Sequence, residues 1–385
     1  MKPSKLVIMN ITVNGYNLRQ NSTGIANVII NAVNTLADIP NIKINLIVSP
    51  VISDEIKSRL SPKIQLCITG GTSSFKWLMF EMPEALKNTQ TDIIWSPTPL
   101  LPFSVFRFKK PVLITIHDFV SIEFRKTMTL KGRLITRLLE KHTIKKADFI
   151  WCVSEYTKSK LEQYYPDRKS KAVFTGSAPD KNIRKINFTA GTKKAFLEKF
   201  NIKKEFLLFV GSLEPRKNLS FLLNVFKDFH KANDIQLVIV GARSWGKTDI
   251  AQIINSQGFP KEDVIFTSFI SEEELMSLYS LASCYVSTSL NEGFGLPQAE
   301  AMICGCPVVT SHNSAMIEVV DGFGITVEGF KIEDWISAIE NTLKDREKII
   351  KRQDKKAKTF DWTQIGENLY KYLNDFSKKS GKKIK

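Results

Sequence analysis

The sequence predicts an α/β protein of two domains, each a parallel sheet flanked by helices. Three observations carry this. The chain has 385 residues, and at roughly 100–200 residues per domain that length suggests two. Apolar residues make up 43% and charged residues 24%, close to the globular average, which excludes wholesale disorder. Short apolar runs alternate with longer amphipathic ones, twice over, the pattern of successive βαβ units.

In the first half LVIMNITV reads as a strand, and the segment after Gly24, IANVIINAVNTLAD, as a helix. Strands follow at KINLIVS, DIIWSP, VLITIHD and FIWCVS, the last leading into the helix EYTKSKLEQYY. In the second half the strand FLLFVGS precedes the helix LSFLLNVFKDFHKAN, and QLVIVGA, DVIFTSF, CYVSTS and PVVTS are further strands. EEELMSLYSLA and PQAEAMICG are the helices between them. Two such halves make two Rossmann-like domains with a cleft between them. The boundary is expected in the polar stretch SAPDKNIRKINFTAGTKK, giving domains 1–184 and 185–362. The helix after Asp361-Trp362, within 363–385, is expected to pack back on the first domain.

Five cysteines are an odd number for a chain this long, so no disulfide framework is implied, and Cys304 and Cys306 lack the second pair that a zinc site needs. No apolar run reaches the ~18 residues of a membrane span, and the start reads as a strand and not as a signal peptide. The expected location is therefore the cytoplasm. The formal net charge is +16, and it is unevenly placed. Residues 1–184 carry 27 Lys and Arg against 14 Asp and Glu, a net +13, whereas residues 185–376 carry 23 against 25. The tail from Ser377 to Lys385 adds five lysines. The predicted helix around Leu130, Leu134, Leu138 and Leu139 is studded with Lys126, Lys131, Arg133, Arg137, Lys141, Lys145 and Lys146, with Glu140 its one acid. A basic amphipathic helix suits the surface of an anionic membrane as a peripheral partner; a core-packed helix with a solvated basic face is the equal alternative. Nucleic acid is not expected, since zinc-finger spacing and RNP-like runs are both missing.

In open parallel sheets ligands bind beyond the carboxyl ends of strands, where glycine turns admit the backbone and helix N-termini favour anions. Gly15 and Gly24 bracket the loop after the first strand. The dinucleotide pattern G-x-G-x-x-G is missing, which disfavours an oxidoreductase. After FLLFV, Gly211 permits a tight turn, and Arg216 and Lys217 place two cations where a diphosphate could meet fork geometry and charge. The most informative segment is SLNEGFGLPQAEAMICGCPVVTS. Glu292 opens a loop with Gly293 and Gly295, Pro297 suits the first helical turn, and Phe294, Gly295 and Leu296 would offer backbone N–H groups. Glu300 follows eight residues after Glu292, near the helix start. Two carboxylates around such a loop can accept hydrogen bonds from vicinal hydroxyls, as in a sugar and a ribose.

NEGFGLPQAEAMICGCPVV closely resembles the two-glutamate signature of the family-4 retaining glycosyltransferases with the GT-B fold, and VGSLEPRKNL, LVIVG, TIHDF and VSEYTKSKL match further segments of that family in order. The resemblance runs to about residue 362. Within the family it looks closest to bacterial mannosyltransferases that build O-antigen (lipopolysaccharide) and related surface polysaccharides.

The resemblance implies a role for each matching residue. Glu292 contacts hydroxyls of the donor sugar and Glu300 the ribose. Arg216 and Lys217 neutralise the diphosphate, assisted by backbone N–H groups of Phe294, Gly295 and Leu296 around Gly293. Gly15, Gly24 and Gly211 line the donor cleft, and His117, in TIHDF, lies near the reacting sugar. No Asp-x-Asp pair is present, so a metal-independent reaction is expected, with no cofactor beyond the nucleotide sugar. The implied function is transfer of a hexose, GDP-mannose being the favoured donor, to a glycan acceptor carried on a lipid. A UDP-sugar donor, or a non-catalytic sugar-nucleotide-binding protein, is the alternative. Ser268 replaces a glycine frequent in the family, and VVDGFGITV after Glu318 lacks a longer acidic turn; both bear on base selectivity and cleft shape.

Overall fold

The computed structural model describes residues 8–19, 24–124, 130–241, 249–267 and 270–379, and for 130–136 and 376–379 the backbone alone. Ser268, Lys126 and the lysine-rich end from residue 380 lie outside the described residues, as do the side chains of Lys131 and Arg133. The chain folds as two compact units. The first gathers the chain up to Glu123, the stretch ending at Lys181 and the segment from Asp361 on; the second spans Asn182–Phe360.

The first unit is built on seven parallel strands, β1 (Met9–Asn14), β2 (Ile42–Val48), β3 (Gln65–Ile68), β4 (Ile93–Ser96), β5 (Val112–Ile116), β6 (Phe149–Cys152) and β7 (Ala172–Phe174), in the order β3-β2-β1-β4-β5-β6-β7. The second holds six, β8 (Phe206–Val210), β9 (Gln236–Val240), β10 (Val264–Thr267), β11 (Cys284–Ser287), β12 (Val308–Ser311) and β13 (Ile325–Val327), in the order β10-β9-β8-β11-β12-β13. Both are doubly wound sheets. The strand order reverses between β1 and β4 in one unit and between β8 and β11 in the other, so the carboxyl ends of those pairs are the places where such sheets bind ligands.

The central strands are continuous apolar runs because both faces are covered. In β8, Leu207 and Phe209 enter one core with Leu222, Phe226 and Trp335, while Phe206 and Leu208 enter the opposite core with Tyr279, Tyr285 and Met302. β9 divides in the same way, Leu237 and Ile239 against Val238 and Val240. Three strands have no counterpart in the sequence reading: β3, β7 and β13. Each is a sheet edge of three or four residues and only partly buried, so it lacks the long apolar run that marks a central strand.

The closing helix, Trp362–Lys379, lies on the first unit. The Trp362 indole N–H donates to the Pro179 carbonyl at 2.8 Å, the Tyr372 hydroxyl donates to the Lys171 carbonyl at 3.0 Å, and the Tyr372 ring meets Phe149 edge-on. The basic helix forms as Leu130–Lys146. Its acid is not part of the solvated face: Glu140 is 6% exposed, and burial pushes its carboxyl above the usual range. All five cysteines are free thiols, and four are buried.

Candidate active site

Where β8 ends, its loop and that of β9 touch. A Cβ on Gly241 would lie 2.0 Å from the Gly211 carbonyl oxygen, so position 241 admits only glycine without a shift of one loop. Glu214 then precedes a short 3₁₀ turn, Pro215–Lys217, which Asn218 ends in the left-handed region at φ 52°. This turn carries Arg216 and Lys217.

The loop that follows β11 is tied to the same turn. The Leu290 N–H donates to the Arg216 carbonyl at 2.8 Å, and the Thr288 hydroxyl donates to the Asn218 carbonyl at 3.0 Å. This brings Glu292 against both cations. Lys217 Nζ lies 2.6 Å from Glu292 Oε1, and one Arg216 terminal nitrogen lies 2.9 Å from Oε2. The other terminal nitrogen of Arg216 lies 2.6 Å from Glu214 Oε1, and the guanidinium also donates to the Asn291 carbonyl. Ser289 adds a hydroxyl donor to Glu292 Oε1 at 2.7 Å. Burial raises the Glu292 carboxyl, but the Lys217 and Arg216 charges, with hydrogen bonds from Lys217 and Ser289, outweigh it and lower it to about 2. Glu292 is therefore a buried, ionised carboxylate at neutral pH.

The glycine loop sits beside this cluster. Gly295 adopts φ +99°, a left-handed conformation, and caps the helix Leu296–Ile303, with Pro297 in its first turn. The N–H groups of Phe294, Gly295 and Leu296 meet no backbone acceptor among the described residues, so they stand as donors at a helix N-terminus. The loop is held from below: Ser314 Oγ accepts from the Glu292 N–H at 3.0 Å, and Gln298 Nε2 donates to Ser287 Oγ at 3.1 Å. Glu300 is 9% exposed and accepts from the Tyr279 hydroxyl at 3.0 Å. Burial, and then the Glu300 charge, keep that phenol protonated, well above its ordinary range.

In the first unit the loop after β1 starts with Gly15, whose Cβ would lie 2.5 Å from the Ile47 carbonyl oxygen of β2. At the β1–β4 reversal Asn14 Nδ2 donates to Ser96 Oγ at 3.2 Å. His117 follows β5, and its Nε2 lies 2.8 Å from the Pro97 carbonyl oxygen. A carbonyl can only accept, so Nε2 carries the hydrogen and Nδ1 of the neutral ring is left as an acceptor. Burial lowers the His117 pKa, which favours that neutral ring. Gly24 is the exposed first residue of the helix Gly24–Asp38.

The structure thus gathers Gly211, Arg216, Lys217, Glu292, Gly293, Phe294, Gly295, Leu296 and Glu300 in the second unit, and places Gly15, Gly24 and His117 in the first. Sequence reading passed over Glu214, Ser289 and Tyr279. Glu214, two residues before Arg216, was legible as an acid within a cationic turn. Tyr279 carried no signal, being one apolar-face residue of a helix.

The fold is two Rossmann-like parallel-sheet domains, and the comparisons agree with it. Residues 24–176 match the family described as Glycosyltransferase Family 4, and residues 192–360 match Glycosyl transferases group 1. With both domains in this order, the chain belongs to the family-4 glycosyltransferases of the GT-B fold. It is 28% identical over 301 residues to O-antigen chain mannosyltransferase B of Escherichia coli, covering 75% of this chain and 76% of that one. It is 29% identical to the O-antigen chain mannosyltransferase RfbU of Salmonella typhimurium, covering 59% and 60%. A third relative, the serotype-specific mannosyltransferase WbdA of Escherichia coli, is 26% identical over 52% of this chain, and the match spans 25% of that longer protein. Among solved structures, Anabaena HepE in complex with UDP-glucose superposes with a TM-score of 0.75 at 18% identity, covering 95% of this chain and all of that one. Sucrose-phosphate synthase from Thermosynechococcus elongatus superposes with 0.76 at 18% identity, covering 96% and 99%.

Proposed function

We propose that the chain is a retaining, metal-independent glycosyltransferase that moves a hexose, mannose from GDP-mannose, onto a lipid-linked glycan during synthesis of a bacterial surface polysaccharide. The observation that carries the reading is the cluster of Arg216, Lys217 and Glu292 beside the glycine loop at the β8–β11 reversal. The O-antigen mannosyltransferases among its relatives support the choice of sugar and pathway.

In this reading the donor diphosphate takes the Arg216 and Lys217 donors and the N–H groups of Phe294, Gly295 and Leu296. Glu300 holds the ribose, Glu292 holds sugar hydroxyls, and His117 Nδ1 accepts from a hydroxyl of the reacting sugar. The acceptor oxygen bonds to the anomeric carbon as the bond from that carbon to the phosphate oxygen breaks, on the same face. The acceptor proton passes to the departing phosphate oxygen, whose growing charge the Arg216, Lys217 and loop N–H donors stabilise by hydrogen bonds, in place of a divalent ion.

The partner at the acceptor side is the anionic inner leaflet of the cytoplasmic membrane. Among the described residues no helix is long and apolar enough to cross a membrane, so contact is peripheral. Phe80, Phe103 and Leu138 are 67%, 52% and 57% exposed, and Phe80, Arg107 and Phe108 line an open cavity of about 550 Å³. Lys109, Lys110, Lys141, Lys145 and Lys146 are exposed on the same elements, a mixture of apolar and cationic groups that suits an anionic interface.

The test is a melting-temperature titration with GDP, UDP, ADP and NAD, followed by transfer assays in the presence of a chelator. A ligand at 100 times its dissociation constant adds about 2.7 kcal/mol. GDP alone is expected to stabilise, and GDP-mannose to be consumed without added metal. Stabilisation by UDP alone would replace the donor; response to no nucleotide would remove the enzyme reading. Flotation with vesicles should recover the protein with anionic and not with neutral lipid, and equal recovery would remove the membrane partner.

A further inference from the structure

We propose that Glu214 is a charge-tuning, positioning residue that weakens the hold of Arg216 on the nucleoside diphosphate and so lets the product leave. The inference rests on the nucleotide-sugar reading of this site.

The two cations that should grip the diphosphate are already matched by two carboxylates. The Arg216 guanidinium lies between Glu292 on one edge and Glu214 on the other, and Lys217 shares Glu292. All four side chains are close to buried, 11% exposed at most, so water screens these charges little. The cluster is therefore neutral as a whole: it offers hydrogen-bond donors to an anion but little net positive field.

Glu292 belongs to the two-glutamate signature. Glu214 belongs to neither the signature nor the glycine loop, and the resemblance gives it no role. Its position is fixed by the backbone: its N–H donates to the Ser212 carbonyl at 2.8 Å, its carbonyl accepts from the Lys217 N–H at 3.0 Å, and it is 5% exposed. Such a carboxylate orients the guanidinium and also repels any anion placed against it. A site with bare Arg216 and Lys217 would bind the substrate diphosphate and the leaving nucleoside diphosphate tightly alike, and tight product slows turnover. Glu214 keeps the geometry and removes the excess attraction.

The test is direct binding of GDP and UDP to the full chain, wild type and Glu214→Gln, by calorimetry, with steady-state product inhibition alongside. Glu214→Gln is expected to bind the diphosphate about tenfold tighter, the change produced by an unbalanced neighbouring charge, with lower KM and lower kcat. Binding of the nucleoside without phosphates should be unchanged. Equal or weaker diphosphate binding by Glu214→Gln overturns the inference, since a carboxylate that merely positions Arg216 would weaken binding when removed. Glu214→Asp should restore the wild-type values. If Glu214→Gln does not fold, Arg216→Gln is compared with the double variant Glu214→Gln/Arg216→Gln. The double should bind the diphosphate more tightly than Arg216→Gln alone, and the reverse order overturns the inference. Absence of diphosphate binding to the wild type overturns the underlying site reading instead.

Discussion

The carboxyl ends of the two sheets differ in kind. At the β8–β11 reversal stand four nearly buried side chains, Glu214, Arg216, Lys217 and Glu292, ion-paired with one another. At the carboxyl ends of β1, β4 and β5 stand the uncharged Asn14, Ser96 and the His117 ring held by a carbonyl, with Asp118 the acid beside it. Yet residues 1–184 carry the net +13, and residues 185–376 are nearly balanced. Net charge of a domain therefore says little about the charge of its site. Most of the described lysines and arginines of residues 1–184 are exposed, where charge acts on large partners at a distance. The ions at the β8–β11 reversal are few, largely desolvated and matched, the arrangement suited to chemistry.

The largest effect is expected from breaking the matched cluster. Lys217→Ala leaves Glu292 buried with one cation fewer, which should destabilise by about 3–5 kcal/mol and lower turnover by roughly 10²–10³. Denaturant unfolding and transfer assays check the two parts; a change within 1 kcal/mol would mean that the pair is solvated. The comparison predicts a much smaller effect for Lys110→Ala on the charged surface, within about 0.5 kcal/mol.

The cluster also predicts an acid limb. The Glu292 carboxyl lies at about 2 in the folded chain against an ordinary value of 4.5. Its pKa is depressed on folding, so its contribution is fully present above 4.5 and is lost as pH falls through 4.5 towards 2. About 3 kcal/mol should disappear across that window by the usual conversion, and Glu292→Gln should flatten that part of the stability–pH curve. An unchanged acid limb in the variant would show that other carboxylates produce it.

Gly241→Ala comes next. The added Cβ would meet the Gly211 carbonyl at 2.0 Å and force the β8 and β9 loops apart, an overpacking cost of about 1–3 kcal/mol. Loss of nucleotide affinity should accompany it, because Arg216 and Lys217 hang on the displaced loop. Within the site the smallest expected change is Tyr279→Phe, which removes one hydroxyl donor from Glu300. It should destabilise by about 1–2 kcal/mol and weaken nucleotide binding a few-fold, seen as a lower melting temperature with ligand.

Much of the fold was legible because its signals are local. The apolar runs at β1, β5, β8 and β9, the helix after Gly24 and the glycine loop with its following Pro297 can each be read within a dozen residues. The edge strands β3, β7 and β13 could not, since a half-buried strand of three or four residues resembles a loop. Within the site, Arg216, Lys217, Glu292 and Glu300 were expected near a diphosphate, a sugar and a ribose. What they do to one another was not foreseen: the two cations expected at a diphosphate are paired with Glu214 and Glu292, and Glu140, the one acid of the basic helix, is buried.

The sequence by itself determined the alternation of strand and helix, two sheets, and which loops carry glycines, cations and carboxylates. These follow from periods of two and 3.6 residues and from turn chemistry. Only the tertiary structure decided that Arg216 meets Glu292, 76 positions away, that Tyr279 serves Glu300, and that His117 turns Nε2 to Pro97. Those pairings depend on strand order: β11 lies beside β8, although β9 and β10 intervene in sequence. Strand order is set by packing the whole sheet between its two cores, and a segment read alone carries no record of it.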